Sequence, residues 1–412
     1  MSHEQEPRAA GFGTRAIRAA SRPPRVDQTP DSVPIYQAVT FSSRDAADLG
    51  DVLADRRSGY AYARIDNPTA SALAAAVAEL EGAEAGYAFA SGMAAIHASL
   101  VSLVGSGDHV VATRAVYGSS HHLLDGVLRR FGVETTFVDS TDADGVEAAF
   151  TPQTRVLYLE TISNPTIVVS DLADLTARAH RRGVAVVVDN TFASPYLCRP
   201  IELGADLVIE SCTKWLGGHS DVLAGVVVGD RRRIAAVKDV QIDTGGTAAP
   251  FSSFLVLRGI ETLHVRLERH SSSALALSRH LERAAGVVRV YYPGLPSHPQ
   301  FAIAQRMLRS GGGMLALELE DRIAAEAFLD ALELPARTAS LGSVHTICVH
   351  PPSTTHRQLS EAQLSAAGIP SGLVRVSVGL EDPEDLIADF EAGMSAASSA
   401  SEMLRTGATP PA

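Results

Sequence analysis

The sequence predicts an α/β protein with a mostly parallel sheet, and three observations indicate this fold class. Short apolar segments, such as the valine-rich residues 184–188, alternate with segments of helical periodicity. Continuous apolar segments of this kind are typical of strands whose two faces are both covered by helices. Polar residues follow directly after the predicted strands, at the edge where open α/β sheets bind their ligands.

Length and composition place the chain among ordinary globular proteins. Its 412 residues allow two or three domains, and a content of 46% hydrophobic and 20% charged residues can form sizeable cores. The net charge of −12 argues against nucleic acid and anionic membranes as partners, because both bind basic surfaces. The three scattered cysteines do not suggest a disulfide framework or a zinc site, so no metal is expected.

Neither a membrane span nor a secretory signal is expected from the hydropathy pattern. No apolar run approaches the roughly 20 residues that a spanning helix needs. The first residues combine arginines with Glu4 and Glu6 and lack the apolar core of a signal peptide. The expected location is therefore the cytoplasm.

The N-terminal third begins with an arm and continues into a helix. Residues 1–33 are polar, rich in arginine and proline, and without a clear period. Asn67-Pro68-Thr69 predicts a turn that Thr69 caps as the start of a helix over residues 70–80. Tyr62 and Arg64 lie just before this turn and could bind a ligand or form an ordinary loop pair.

A strand is predicted to turn into a helix at Ser91 and Gly92, which Met93 follows. The first N–H groups of a helix and the positive end of its dipole suit a phosphate group. The signal is weak on its own, because Ser-Gly is common before helices.

Further strands are predicted at 109–113, 133–138, 155–159, 184–188 and 207–209, with helices at 119–131 and 172–182. The polar residues that follow these strands are Tyr117, Glu160, Asn164, Asp189, Asn190, Ser211, Thr213 and Lys214. Because ligands bind outside the carboxyl ends of the strands in open α/β sheets, we expect these side chains to face one crevice.

Lysine usage singles out one residue of this set. The chain contains only two lysines, Lys214 and Lys238, and otherwise uses arginine. Arginine cannot replace lysine where a neutral amine attacks a carbonyl group, since the guanidinium stays protonated. Lys214, which lies among hydroxyl-bearing residues and glycines, is therefore interpreted as a Schiff-base lysine. The alternative is a surface lysine on a loop.

Three further residues at the strand ends suit pyridoxal 5′-phosphate (PLP). A buried Asp189 would be costly unless it were paired, and a protonated pyridine nitrogen is a suitable partner. Tyr117 could stack on the pyridine ring, and Asn164 could donate a hydrogen bond to its phenolic oxygen. Each has an ordinary alternative: an aspartate that caps a turn, a core aromatic and a turn asparagine. The set as a whole favours a PLP site.

Six motifs resemble those of the Cys/Met metabolism (transsulfuration) family of PLP-dependent enzymes, from about residue 14 to about residue 390. They are P-I-Y-Q-A-V-T-F, Y-A-Y-A-R-I-D-N-P-T, A-S-G-M-A-A-I, V-V-V-D-N-T-F, S-C-T-K-W-L-G-G-H-S-D and L-V-R-V-S-V-G-L-E-D. The resemblance implies PLP-dependent transferase fold type I, with a mostly parallel seven-stranded sheet in a large domain and a smaller C-terminal α/β domain. We expect an arm at 1–60, the PLP-binding domain at 61–258, the small domain at 259–394 and a flexible tail at 395–412.

The resemblance also implies a role for each site residue. Lys214 would form the internal aldimine with PLP, and Lys214, Tyr117 and Asp189 would be the catalytic set. Tyr117, Asp189 and Asn164 would contact the ring. The phosphate would be held by Ser91, Gly92, Met93, Ser211 and Thr213, and by Tyr62 and Arg64 of the neighbouring subunit. The implied assembly is a homotetramer, a dimer of dimers whose active sites are shared between subunits.

The C-terminal part supplies the predicted substrate contacts. Residues 230–250 carry loop signals, and residues 254–278 predict a long, mostly helical connection, which suggests a domain boundary near residue 258. Arg375 lies in an alternating strand pattern and could bind a carboxylate through two hydrogen bonds, or lie on the solvent face of an edge strand. The resemblance implies that Arg375 and Ser340 bind the substrate α-carboxylate, with Tyr62 and Asn164 as further substrate contacts.

The resemblance leaves two reactions open. The leading prediction is γ-elimination on a sulfur amino acid of the cystathionine or methionine type, which gives a 2-oxo acid, ammonia and a thiol. The alternative is γ-replacement on an O-acylated homoserine, which gives a thioether or homocysteine. A non-catalytic relative is a third hypothesis, and the presence of Lys214, Asp189, Tyr117 and Arg375 together argues against it.

Two positions depart from family patterns and leave the exact substrate undetermined. Methionine γ-lyases typically carry cysteine after the Tyr-Gly pair, where this chain has Ser119. Members that process cystathionine often carry glutamate five residues after Ser340, where this chain has His345. His345 could contact the substrate side chain or only pack against its neighbours.

Overall fold

The structure is a computed structural model that describes residues 28–357 and 359–406. Residues 1–27 of the predicted arm and residues 407–412 of the predicted tail therefore lie outside the described residues. Of the described residues, those up to Pro34 belong to one unit, and those from Ile35 onward belong to a second, compact unit. All helices and strands given below belong to the second unit.

Seven strands form the larger sheet, in the order β1-β7-β6-β5-β4-β2-β3. They are β1 (Ala85–Phe89), β2 (His109–Thr113), β3 (Glu134–Val138), β4 (Thr154–Glu160), β5 (Ala185–Asp189), β6 (Leu207–Glu210) and β7 (Gly225–Gly229). Strands β2 to β6 pair in parallel, and β7 pairs antiparallel with both β1 and β6. The mostly parallel seven-stranded sheet is therefore confirmed, and β7 is a strand that the sequence analysis did not predict.

The central strands of this sheet are buried on both faces. In β5, Val186 and Val188 belong to the core on one face, whereas Val187 belongs to the core on the other face. Successive side chains of a strand point to opposite faces, so a continuous valine run supplies both cores at once. This is why the apolar runs predicted these strands well.

Helices surround the larger sheet and connect its strands. They are α1 (Ala46–Leu53), α2 (Pro68–Glu81), α3 (Gly92–Val101), α4 (Gly118–His122), α5 (Ala143–Ala148), α6 (Leu172–Arg181), α7 (Ser194–Leu197), α8 (Arg231–Thr244) and α9 (Pro250–Ile260). The predicted helix at 119–131 is less regular than expected, because α4 passes into a π-helical turn at Leu123–Val127 and a 3₁₀ turn at Leu128–Phe131.

The C-terminal part forms a second, five-stranded sheet in the order β10-β11-β12-β9-β8. Its elements are α10 (Leu263–Leu281), β8 (Val287–Tyr291), α11 (Phe301–Met307), β9 (Met314–Leu319), α12 (Arg322–Ala331), β10 (Ala336–Arg337), β11 (Ile347–Val349), α13 (Glu361–Ala366), β12 (Leu373–Ser377) and α14 (Pro383–Thr406). Strand β12, which carries Arg375, is the central strand of this sheet and not an edge strand.

The prediction of a loop at residues 230–250 is wrong for most of that segment, because α8 occupies Arg231–Thr244. Asp230 caps this helix by accepting a hydrogen bond from the backbone N–H of Arg233 at 2.8 Å. Ile234, Val237 and Gln241 form its buried face, at the spacing of a helix. The run of arginines on the other face hid this periodicity.

The two ends of the C-terminal part also bear on the predicted boundaries. The boundary proposed near residue 258 falls inside α9, and the limits of the arm and of the two domains stay predictions. Helix α14 continues to Thr406, through the first part of the segment predicted as a flexible tail. Met394, Ala397 and Ser401 are buried along one side of this helix, which explains why it extends so far.

Among the described residues, no helix is both long and apolar enough to cross a membrane.

Candidate active site

A cavity of about 310 Å³ lies at the carboxyl ends of the parallel strands. The predicted cofactor and substrate contacts all line it except Tyr62 and Arg64: they are Ser91, Gly92, Met93, Tyr117, Asn164, Asp189, Ser211, Thr213, Lys214, Ser340 and Arg375. Residues from both sheets therefore meet in one cavity, because Ser340 and Arg375 come from the C-terminal part. The expectation that Asn190 faces the same crevice is wrong, because its side chain is buried and donates to Glu81 and to the backbone oxygen of Cys198.

One end of the cavity is formed by the start of α3 and the turn after β6. Ser91 caps α3 by accepting a hydrogen bond from the N–H of Ala94 at 3.2 Å. The first N–H groups of α3, from Gly92 and Met93, have no acceptor within the helix. A Cβ atom at Gly92 would lie 2.8 Å from Cβ of Ser211, so the two segments can approach this closely only with glycine. This narrow, hydroxyl-lined end suits a phosphate group.

Asp189 ends β5 with a buried carboxylate. It accepts a hydrogen bond from the N–H of Thr191 at 3.0 Å and a longer one from the hydroxyl of Tyr158 at 3.5 Å. Burial raises the pKa of Asp189. It forms no ion pair with any residue that the structure describes, so a cationic group in the cavity would relieve an unfavourable burial.

Lys214 lies in the turn after β6, and its Nζ donates a hydrogen bond to Oγ of Ser340 at 2.7 Å. Burial, with the nearby Arg375 guanidinium as a second cause, lowers the pKa of Lys214 to about 8. A lysine with such a pKa has an appreciable neutral fraction near neutral pH, as a nucleophilic amine requires.

Arg375 is 2% exposed and holds two groups of the cavity wall. It donates to Oδ1 of Asn164 at 2.8 Å and to the backbone oxygen of Ser340 at 2.8 Å, while its Nε has no acceptor. It has no acidic partner among the described residues, and burial lowers its pKa to about 10. A buried guanidinium in this state is ready to bind a carboxylate.

Ser340 contacts both Lys214 and Arg375, and its backbone conformation is unusual. Its φ of +117° lies in a region that residues other than glycine rarely adopt. In this conformation the side chain reaches Lys214 while the carbonyl group reaches Arg375. A Cβ atom at Gly342 would lie 2.7 Å from the backbone nitrogen of Trp215 and 2.8 Å from the carbonyl carbon of Lys214, so this close approach requires glycine.

Three polar residues of the cavity were not predicted as site residues. Glu160 accepts hydrogen bonds from the N–H groups of Tyr117 and Asn164, and burial together with Asp189 raises its pKa well above the ordinary value. Thr191 accepts a hydrogen bond from the N–H of Ser211 at 2.9 Å, and Thr355 lines the cavity from the C-terminal part. Glu160 was visible in the sequence as a carboxylate at a strand end, whereas no pattern marked Thr191 or Thr355.

Tyr62 and Arg64 lie together outside this cavity. The Arg64 guanidinium is 5.7 Å from the centre of the Tyr62 ring and donates a hydrogen bond to the backbone oxygen of Ile242. Both side chains are exposed. A contact between this pair and the phosphate of a neighbouring subunit stays a prediction.

The two positions that depart from family patterns are also outside the cavity lining. His345 is exposed and forms a hydrogen bond with Ser343, with Nδ1 and Oγ 2.9 Å apart. Ser119 is exposed at the start of α4.

The residues present fit PLP. The hydroxyl groups and helix N–H groups at one end suit its phosphate, and the unpaired carboxylate of Asp189 suits its pyridinium nitrogen. Lys214 is the amine that its aldehyde requires, and Tyr117 offers an aromatic ring at the cavity wall.

Comparison with known proteins also indicates a PLP-dependent enzyme. A family model described as Cys/Met metabolism PLP-dependent enzyme matches residues 13–395. The chain is 42% identical to an L-methionine gamma-lyase of Pseudomonas putida, over 94% of this chain and 98% of that protein. It is 40% identical to an O-succinylhomoserine sulfhydrylase of Pseudomonas aeruginosa, over 94% of this chain and 96% of that protein.

Among solved structures, the chain is similar to a putative O-acetylhomoserine (thiol)-lyase from Campylobacter jejuni. The TM-score is 0.86 at 30% identity, over 88% of this chain and 95% of the other. That structure contains N′-pyridoxyl-lysine-5′-monophosphate.

Proposed function

The chain belongs to the Cys/Met metabolism family of PLP-dependent enzymes, and on that premise we propose that it is a carbon–sulfur lyase. The proposed reaction is γ-elimination on a sulfur amino acid of the cystathionine or methionine type. Its products are a 2-oxo acid, ammonia and a thiol. The observation that carries this proposal is the amine of Lys214, which has a lowered pKa and shares a cavity with a buried guanidinium.

The substrate is positioned by its carboxylate. Arg375 is buried without an ion pair among the described residues, and it donates to the backbone oxygen of Ser340, whose hydroxyl group accepts a hydrogen bond from Lys214. A carboxylate bound there would neutralise the guanidinium and bring the substrate Cα towards Lys214. Amines without a carboxylate should therefore be poor substrates.

Lys214 is the proposed base. PLP supplies an electron sink when it is bound, which lowers the cost of removing protons from the substrate. The Nζ atom of Lys214 takes the proton from Cα and, after passing it on, the proton from Cβ. The sulfur leaves from Cγ and takes up a proton to become the thiol, and one water molecule supplies the oxygen of the 2-oxo acid as ammonia is released. A pKa of about 8 suits a base that works near neutral pH. Ser340, which accepts a hydrogen bond from Nζ, holds the amine in place before the proton transfer.

A γ-replacement transferase is the second candidate, and the similarity to an O-succinylhomoserine sulfhydrylase favours it. The identity of 40% to that protein is close to the 42% identity to a methionine gamma-lyase. The two reactions share the steps up to departure of the γ-substituent and differ in whether a thiol then adds. The same residues therefore serve both.

Competition between the two outcomes tests the proposal. The PLP-loaded protein would be incubated with O-succinyl-L-homoserine, with and without a thiol, and the oxo acid and thioether would be quantified. A lyase releases 2-oxobutanoate in both mixtures and also from L-methionine. Thioether formation with no oxo acid from L-methionine would favour the transferase instead.

We further propose a homotetramer built from two dimers with shared active sites. The support is that Tyr62 and Arg64 lie outside the cavity of their own chain although their motif resembles the phosphate-binding one. A residue pair that contributes to the site only across an interface would make the oligomer necessary for activity.

A further inference from the structure

Glu160 has an arrangement of hydrogen bonds that the proposed reaction does not yet use. It ends β4, is 4% exposed and lines the cavity. Its Oε1 accepts a hydrogen bond from the N–H of Tyr117 at 2.7 Å, and its Oε2 accepts one from the N–H of Asn164 at 3.0 Å. A single carboxyl group thus fixes the backbone at two points, one after β2 and one after β4.

The two residues held in this way are both candidates for contact with the PLP ring. Tyr117 is the proposed stacking residue, and Asn164 is the proposed partner of the phenolic oxygen. In the sheet register, Glu160 also lies directly opposite Asp189, the proposed partner of the ring nitrogen. Glu160 therefore adjoins all three groups that would define the plane and the rotation of the ring.

A carboxylate is a costly way to fix two loops. Removing a charged group from water carries a large desolvation cost, and the neighbouring Asp189 carboxylate adds repulsion. Water or a backbone carbonyl could accept hydrogen bonds from these two N–H groups in a loop without further function. The cost is explained if the spacing between Tyr117 and Asn164 matters for the ligand of the cavity.

We propose that Glu160 is a positioning residue that sets the Tyr117 ring and the Asn164 amide against the cofactor ring. It acts through these two residues and makes no contact with the reacting atoms. This inference rests on the proposed PLP site, but it is independent of the choice between γ-elimination and γ-replacement.

The test compares Glu160→Gln with a matched control in the full-length protein. Glutamine keeps the size of the side chain but offers a donor where one N–H group needs an acceptor. Asp389→Asn is the control, because Asp389 likewise accepts from two backbone N–H groups, those of Glu333 and Leu334, outside the cavity. The measured quantities are the Kd of PLP for the apoprotein, the circular dichroism of bound PLP, and the melting temperature of the apoprotein.

For Glu160→Gln we expect a Kd for PLP that is about 10- to 100-fold higher, since an unpaired buried N–H group is costly. The dichroic band of bound PLP should weaken, because the ring is held less firmly. Asp389→Asn should lower the melting temperature without changing either PLP signal. An unchanged Kd and dichroic band in Glu160→Gln, with only a lower melting temperature, would overturn the proposal and leave Glu160 as a structural cap.

A double-mutant cycle identifies the route of the effect and remains usable if Glu160→Gln folds poorly. Glu160→Asp, which shortens the carboxylate arm, is combined with Tyr117→Ala, which removes the stacked ring but keeps the N–H group. If Glu160 acts through Tyr117, the double variant raises the Kd of PLP by less than the product of the fold-changes in the two single variants. Fully additive effects would contradict that route. Because no substrate is present, these results do not depend on which reaction the enzyme catalyses.

Discussion

Lys214 and Arg375 are cationic side chains within one cavity, and their proximity determines the chemistry that each can perform. The guanidinium contributes to the lowered pKa of the amine, and both contact Ser340. An amine with an ordinary pKa would be almost fully protonated near neutral pH and would be a poor nucleophile. Burial is the larger cause of the lowered pKa and the guanidinium the second, so the cavity keeps a fraction of Lys214 neutral before any ligand arrives.

The pH dependence of PLP binding should report this lowered pKa. Lys214 is protonated below a pKa of about 8, and only the neutral amine reacts with an aldehyde. The rate of Schiff-base formation in the apoprotein should rise about tenfold per pH unit below pH 8 and then level off. Stopped-flow absorbance after addition of PLP measures this rate.

Arg375→Gln provides the control for this prediction. It removes the guanidinium charge, which is the second cause of the lowered pKa of Lys214, and it should move the midpoint of the pH profile upward. A wild-type rate that keeps rising to the pH range of an ordinary lysine would show that the pKa of Lys214 is not lowered.

At the scale of elements, the proposed phosphate end of the cavity depends on the close approach of β7 to the start of α3. A Cβ atom at Gly225, the first residue of β7, would collide with the backbone oxygen of Ser91. The position of the α3 start is thus fixed by a strand that is distant in sequence. A single methyl group at Gly225 should displace Ser91 and Gly92 together.

Gly225→Ala should therefore weaken PLP binding by at least about tenfold and lower the melting temperature, since backbone contacts cannot yield cheaply. Equilibrium titration of the apoprotein with PLP measures the first effect and calorimetry the second. Gly50→Ala is the matched control, because a Cβ atom at Gly50 meets nothing within 4 Å and the residue lies inside α1. That control should leave PLP binding unchanged and slightly raise stability. Equal PLP affinity in both variants would contradict the role assigned to β7.

The sequence predicted most of the strands that are apolar on both faces, but it missed β7, whose valines also supply both cores, and the weakly patterned helix α8. The valine run of β5 carried a strong local signal, and the Ser-Gly pair marked the start of α3. Helix α8 was hidden by its arginines, and β7, bounded by Gly225 and Gly229, lacked a recognised boundary. The expectation that polar residues after the strands face one crevice predicted that Lys214, Asp189 and Tyr117 share a cavity. Thr355 reaches this cavity only through tertiary packing, which no local pattern records.

At the scale of the whole molecule, the exposed pair of Tyr62 and Arg64 leads to a prediction about assembly. In a dimer with shared sites, Arg64→Ala impairs the phosphate contact of the partner and Lys214→Ala removes the amine of its own chain. Mixing the two inactive or weakened variants under subunit exchange should restore activity, up to about a quarter of the wild-type value. Each hybrid dimer then contains one intact site.

The rate of oxo-acid release before and after exchange measures this complementation. A mixture of Lys214→Ala with itself, treated in the same way, is the control for residual turnover. An absence of recovery, although mass spectrometry shows that hybrids form, would contradict the shared site.

The most direct test of the central claim is to identify the oxo acid that the purified, PLP-loaded protein releases from L-cystathionine. The account predicts 2-oxobutanoate, the product of γ-elimination, and no release by the Lys214→Ala variant. Pyruvate would instead mean cleavage on the β side, and the absence of any oxo acid would contradict the assignment of this chain as a γ-eliminating lyase.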